Sequence, residues 1–181
     1  MASVLDVADF IVLSAGKESD MTQLKLQKML YFAQGTHLAR TGKPLFDDPI
    51  LAWKLGPVVR SVYQKFNICG NYPIAADVID PYVGEVFTKE EADTIVDVIL
   101  EYGKYSASYL VDITHAPNSP WCASNITAAI SNDLIRSHFI GRDAAPVIKI
   151  DCSAIPMIGR NEGNVLILPA DDEDWSGCDE V

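Results

Sequence analysis

The sequence predicts a mainly α protein. It reads as one compact helical domain around a central helix at about residues 23–40, with a short β segment near 50–55 and a β-containing C-terminal extension. Three observations carry this. Capped segments with helical apolar spacing fill most of residues 1–140. One of them is apolar on two opposite sides. After residue 140 the texture changes to short β-like runs. The chain has 181 residues, 49% of them apolar and 22% charged, an ordinary globular composition in which the length favours one domain. A chain of this size buries roughly 68–70% of its unfolded surface, enough to fold without a disulfide or metal staple. Its apolar runs, such as Ile11–Leu13 and Val165–Leu168, fall far short of the roughly 20 residues a bilayer crossing requires, so no membrane partner is expected.

Taken in order, Ser3 is a candidate N-cap, and Val4, Ala8, Ile11 and Val12 recur at helical spacing. Residues 16–20 form a polar linker. Thr22 then caps a helix from Gln23 to about Arg40, stopped by Gly42 and Pro44. On this helix Leu26, Met29, Leu30, Ala33 and His37 share one face, while Leu24, Tyr31 and Leu38 share another nearly opposite. A helix apolar on two sides packs between neighbours, which makes it the central helix. A stripe of Gln23, Gln27 and Gln34 and another of Lys25 and Lys28 lie between the faces, and the lysine stripe is the polar strip expected to stay accessible.

Ile50–Leu55 reads as a short strand. Pro57, welcome at a first helical position, is expected to start a helix to about Phe66 with Val58, Val59, Val62, Tyr63 and Phe66 on its buried side. Residues 70–84 carry repeated turn signals and read as loop. Thr88-Lys-Glu-Glu91 fits a capping box, followed by a helix with Ala92, Ile95, Ile99 and Tyr102 on one side and an acidic stripe of Glu90, Asp93, Asp97 and Glu101 on the other. Ser106 and Ser131 cap two further helices. Val147–Ile150 and Val165–Leu168 are expected strands, and Pro169 to Val181, with six acids in its last eleven residues, reads as a disordered tail.

The net charge is −11. Residues 1–140 hold 11 basic and 16 acidic side chains, and residues 141–181 hold 3 and 9. Such a balance makes nucleic acid an unlikely partner unless Lys25, Lys28, Lys54, Arg60 and Lys65 converge, as they would in a winged-helix-like transcription regulator using residues 50–55 as its wing. Cys69, Cys122, Cys152 and Cys178 match no zinc spacing, and the N-terminus has no basic stretch leading into an apolar one; four reduced thiols in a cytoplasmic protein are expected. Phosphate-binding glycine motifs and the G-x-S-x-G nucleophile elbow are absent, and the three histidines are scattered, so no metal or cofactor is expected. A Cys–His pairing such as Cys122 with His115 has catalytic chemistry, and no signature surrounds it; the carboxylate pair Asp47-Asp48, before Pro49, reads as a turn first; His37, on an apolar face, reads as a satisfied core histidine.

The candidate binding residues are non-catalytic. Trp53 and Trp121 lie in irregular segments, where an indole either packs on the core with its N–H satisfied or anchors a partner. His115, before Pro117, either caps a helix end or makes a polar contact in a site. Packing on the central helix is expected to gather Trp53, His115 and Trp121 near its N-terminal half, beside Lys25 and Lys28, into one partner-binding surface.

Several segments together resemble the Panacea antitoxin domain, a SocA-like and phage-associated family. They are residues 21–35 (MTQLKLQKMLYFAQG), 42–46 (GKPLF), 52–58 (AWKLGPV) with Val62-Tyr63, then Leu110, Thr114-His115 and Trp121. The resemblance covers about residues 3–140, giving an antitoxin domain at 1–140 and a C-terminal extension at 141–181. It implies a helical, non-enzymatic antitoxin that neutralises a cognate toxin by direct binding, or in one branch an adaptor that delivers the toxin to an ATP-dependent protease; a homo-oligomer is compatible with either. The positions carried over are Lys25, Gln27, Lys28, Tyr31, Trp53, Gly56, Pro57, Thr114, His115 and Trp121, which either contact a partner or hold the fold. The helix-turn-helix unit found in a familiar arrangement of the family has no counterpart here.

Overall fold

Helix α2, Gln23–Thr41, organises the chain. The computed structural model describes residues 1–15, 20–75, 79 and 87–140. Around α2 lie α1 (Val4–Ala15), a hairpin of β1 (Ile50–Trp53) and β2 (Gly56–Val59), α3 (Arg60–Phe66) with a 3₁₀ turn at Asn67–Cys69, α4 (Lys89–Tyr102), α5 (Ala107–Thr114) and α6 (Asn132–Ile140). The protein is mainly α, as expected. The expected strands at 147–150 and 165–168 and the acidic tail lie outside the described residues.

Fifteen of the nineteen residues of α2 are buried, which bears out its central place. Leu26, Leu30 and Ala33 have no exposed surface, and Tyr31 is closed off on the opposite side; Leu24 is half-buried. Helices α1, α4, α5 and α6 all contact α2. The helix begins at Thr22, whose side chain accepts from the Lys25 N–H, and ends at Gly42 with φ 73°, where the left-handed turn suits glycine. Gly35 admits α6: a Cβ there would stand 2.5 Å from the Phe139 ring. Phe32 stacks on Tyr102 at 4.0 Å and meets Phe139 edge-on, tying α2, α4 and α6 through aromatic contacts.

The glutamine stripe is buried rather than solvated. Gln27 accepts from the Val59 N–H (2.7 Å) and donates to the Val59 carbonyl (3.3 Å), behaving as a neighbouring strand would. Gln34 accepts from the Leu45 and Phe46 N–H groups and returns a bond to the Phe46 carbonyl. Gln23 donates to the Tyr63 carbonyl. Each amide supplies the partners that buried backbone requires, so these positions are structural despite their polarity.

The same logic corrects the expected helix start at Pro57. The proline lies in β2 opposite Ala52, and Ala52 turns its N–H and C=O away from the hairpin to Ala128 and Thr127. The ladder asks no donor of the proline at this position, so the strand tolerates it. Gln27 then holds Val59 extended, and α3 begins only at Arg60. With the helix shifted, Val62 and Phe66 are its buried residues and Tyr63 is 36% exposed, not core as expected.

The remaining caps fall where the sequence places them. Thr88 and Glu91 form the reciprocal capping box of α4, and Ser106 and Ser131 accept from N–H groups three residues on. The acidic stripe of α4 is split: Glu90 and Glu101 are exposed, while Asp97 pairs with Arg40 on α2 at 2.6 Å. Asp9 on α1 is buried and takes the Lys65 ammonium of α3 at both oxygens. His37 is buried with Nδ1 3.3 Å from the Thr94 hydroxyl, and burial holds its pKa below the usual imidazole value.

Candidate partner-binding site

Three chain segments meet where β2 crosses the first half of α2. The two-residue turn at Lys54-Leu55 follows from the pairing of Trp53 with Gly56. Gly56 takes φ 101°, and a Cβ on it would lie 2.8 Å from the Lys28 Nζ and 2.9 Å from the Thr114 hydroxyl. Glycine is thus required twice, by its backbone and by the closeness of both side chains. Lys28 has no exposed surface, and its ammonium donates to the Pro57 carbonyl at 3.1 Å. No carboxylate among the described residues pairs with it, and burial lowers its pKa to about 7.

Beside this amine, His115 ends α5 and its ring stacks on Trp121 at 3.8 Å with 20° between planes. The Trp121 indole N–H donates to the Trp53 carbonyl at 2.8 Å, and the Trp53 ring meets Tyr63 edge-on at 5.0 Å. Trp53, His115 and Trp121 are each half-buried, so the cluster has an outer surface. The His115 pKa is lowered, first by burial and next by the nearby Lys28 charge, with Asp112 acting in the opposite direction. The His115 Nε2 is buried and has no hydrogen-bond partner among the described residues.

The expected gathering of Trp53, His115 and Trp121 beside Lys28 is therefore what the structure contains. The expected accessibility of Lys25 and Lys28 is not. Lys28 lies beneath the cluster, and Lys25 is 2% exposed and reaches the carboxylate of Asp20 at 2.5 Å. A lysine can be buried on its stem while its nitrogen finds an acceptor, which helical periodicity does not reveal. Cys122 is exposed and its sulfur makes no hydrogen bond to His115, whose ring faces Trp121 instead. Among the five basic residues of the winged-helix alternative, Lys25 and Lys28 are buried and Lys65 is held by Asp9, which leaves Lys54 and Arg60. Tyr63, expected in the core, is exposed instead: it lies three residues after the exposed Arg60 and shares its side of α3, away from the buried Val62 and Phe66. No group of His, Cys, Asp and Glu among the described residues is arranged to hold a metal ion, and no described helix is long and apolar enough to cross a membrane.

Comparison with known proteins agrees with these segments. Antitoxin SocA of Caulobacter vibrioides (strain NA1000 / CB15N) is 36% identical over 116 residues, which cover 60% of this chain and 62% of that protein. The chain thus spans less than two thirds of the length of the curated relative it matches. No solved structure matches. The family model described as "Antitoxin SocA-like, Panacea domain" matches residues 26–122, more than half of the sequence and the whole stretch from Leu26 on α2 through Trp121, and the chain belongs to that family.

Proposed function

We propose that this protein is an antitoxin that neutralises a cognate toxin by direct binding, and that Trp53, His115 and Trp121 contact the toxin. The observation that carries the reading is the stacked His115–Trp121 pair, half-buried and fixed to the Trp53 carbonyl. Aromatic side chains held rigid at a surface lose little entropy on binding and are the residues most enriched at interface anchors. Lys28 acts from below as a positioning residue: its bond to the Pro57 carbonyl seats the hairpin that carries Trp53. Lys25, tied to Asp20, serves the start of α2.

Co-expression with the product of the neighbouring reading frame tests this. Wild-type protein is expected to restore growth; His115→Ala is expected to abolish protection while retaining the wild-type melting temperature to within a few degrees, and Trp121→Phe, which keeps an aromatic ring on the core and removes the indole N–H, is expected to weaken protection. Full protection by both variants would place the toxin contact elsewhere. Toxin abundance in the rescued cells separates two mechanisms: it persists if binding alone blocks the toxin, and falls, in a manner dependent on an ATP-dependent protease, if the protein is an adaptor.

A further inference from the structure

From Pro49 to Ala76 the sequence carries Lys54, Arg60 and Lys65 and not one aspartate or glutamate, in a chain whose net charge is −11. The same stretch exposes an unusual share of apolar surface. Leu55, at the hairpin turn, is 56% exposed, and Ile68, in the 3₁₀ turn after α3, is 88% exposed. Tyr63, between them in the sequence, is exposed on α3, and its contact with the Trp53 ring joins the hairpin to the helix. Single exposed apolar residues are ordinary on any surface, but several on one short unit mark a contact site.

Charge gives that unit its character. Lys65 is turned aside to Asp9, while Lys54 and Arg60 are exposed and form no ion pair among the described residues. Asp48 lies close by, its carboxylate accepting from the Ser61 hydroxyl at 2.7 Å, so the unit carries two unpaired cations against one hydrogen-bonded carboxylate. At physiological salt the Debye length is about 8 Å, so more distant acidic side chains are largely screened at contact.

We propose that the hairpin tip and the outer face of α3 form a recognition surface for a short acidic, apolar segment of a partner protein. Apolar residues of the segment cover Leu55, Tyr63 and Ile68, and its carboxylates meet Lys54 and Arg60. The whole-molecule charge keeps a long acidic partner away and lets a short segment dock, which favours a peptide-sized element. Nucleic acid is disfavoured, since two unpaired cations neutralise too few phosphates to hold it against that charge. The surface adjoins the Trp53 cluster and does not depend on the antitoxin reading.

Panning a random twelve-residue peptide library on the full-length protein tests the proposal without a known toxin. Enriched peptides are expected to be net negative and rich in Leu, Phe or Trp. Synthetic versions, followed by fluorescence anisotropy, are expected to lose roughly tenfold or more in affinity with Lys54→Glu/Arg60→Glu, and similarly with Leu55→Ser/Ile68→Ser. All four positions are exposed, so both variants are expected to melt as wild type does. Absence of enrichment, a neutral or basic consensus, or affinity unchanged in both variants would each overturn it. So would binding of a fluorescent sixteen-residue oligothymidylate that Lys54→Glu/Arg60→Glu abolishes while no acidic peptide binds. Failure of toxin neutralisation leaves these outcomes unaffected, so the two readings fail separately.

Discussion

Replacing Lys28 with methionine is expected to stabilise the protein at neutral pH. The amine is completely buried, bonds one carbonyl and has no counter-ion, and its pKa falls from 10.5 to about 7. The unfolded chain therefore binds a proton that the native state releases between about pH 7 and 10.5. With more protons on the unfolded state, stability rises with pH across that window, by about 1.4 kcal/mol per unit, and is level below it. Over the whole window the protonated side chain costs the native state at most about 5 kcal/mol. Methionine has nearly the same length and no charge. It forfeits the hydrogen bond to Pro57, worth about 1 kcal/mol, so a net gain of about 2–4 kcal/mol is expected at pH 7. Urea unfolding of both proteins at half-unit steps from pH 6.5 to 9.5 measures it, because the difference between them cancels every other titrating group. The advantage of Lys28→Met should shrink as pH rises. An advantage that is absent, or constant across the range, would refute the argument that Lys28 is an unpaired buried amine.

In Lys28→Met the His115 titration midpoint, followed by NMR, should rise, since the Lys28 charge is one cause of its depression; an unchanged midpoint would separate the two groups. Gly35→Ala should cost about 1–3 kcal/mol because its methyl enters the Phe139 ring space, and Phe139→Leu in the same chain should recover part of the loss in a thermal melt. Lys65→Met removes two charge-assisted bonds to the buried Asp9 from a partly exposed lysine and should lower stability by about 1–2 kcal/mol at pH 7 in a urea titration.

The helices were legible because their signals are local. Thr22, Thr88, Ser106 and Ser131 cap the helices they precede, and Gly42 ends α2, since a cap needs only residues within one turn. The hairpin was half legible. Ile50–Trp53 has strand composition, but Gly56–Val59 is a strand through its pairing with Ile50–Trp53 and through Gln27, thirty-two positions from Val59, which takes the Val59 N–H and C=O. Lys25 and Lys28 misled for a related reason. Periodicity equates polar with solvated, and that equation fails where the partner of the polar atom is a carbonyl in a distant segment, as Pro57 is for Lys28. The aromatic cluster was foreseeable because Trp53 closes β1, His115 follows α5 and Trp121 lies in the segment after it, all in a part of the chain that packs on one helix.

Lys28 joins these two lessons. Packing alone would place an apolar side chain at the crossing of α2 and β2, where every neighbour is buried. The amine stands there at a cost in stability, under Gly56, beside Thr114 and within electrostatic reach of His115. Positions where a sequence departs from the locally stable choice are where function shapes it. On this reasoning Lys28→Met should be the more stable protein and, under the proposed function, the weaker neutraliser of the toxin. Its methionine cannot donate to the Pro57 carbonyl, so the hairpin that presents Trp53 is no longer seated by the same bond. Greater stability together with full protection would show that the amine costs the fold without serving the site.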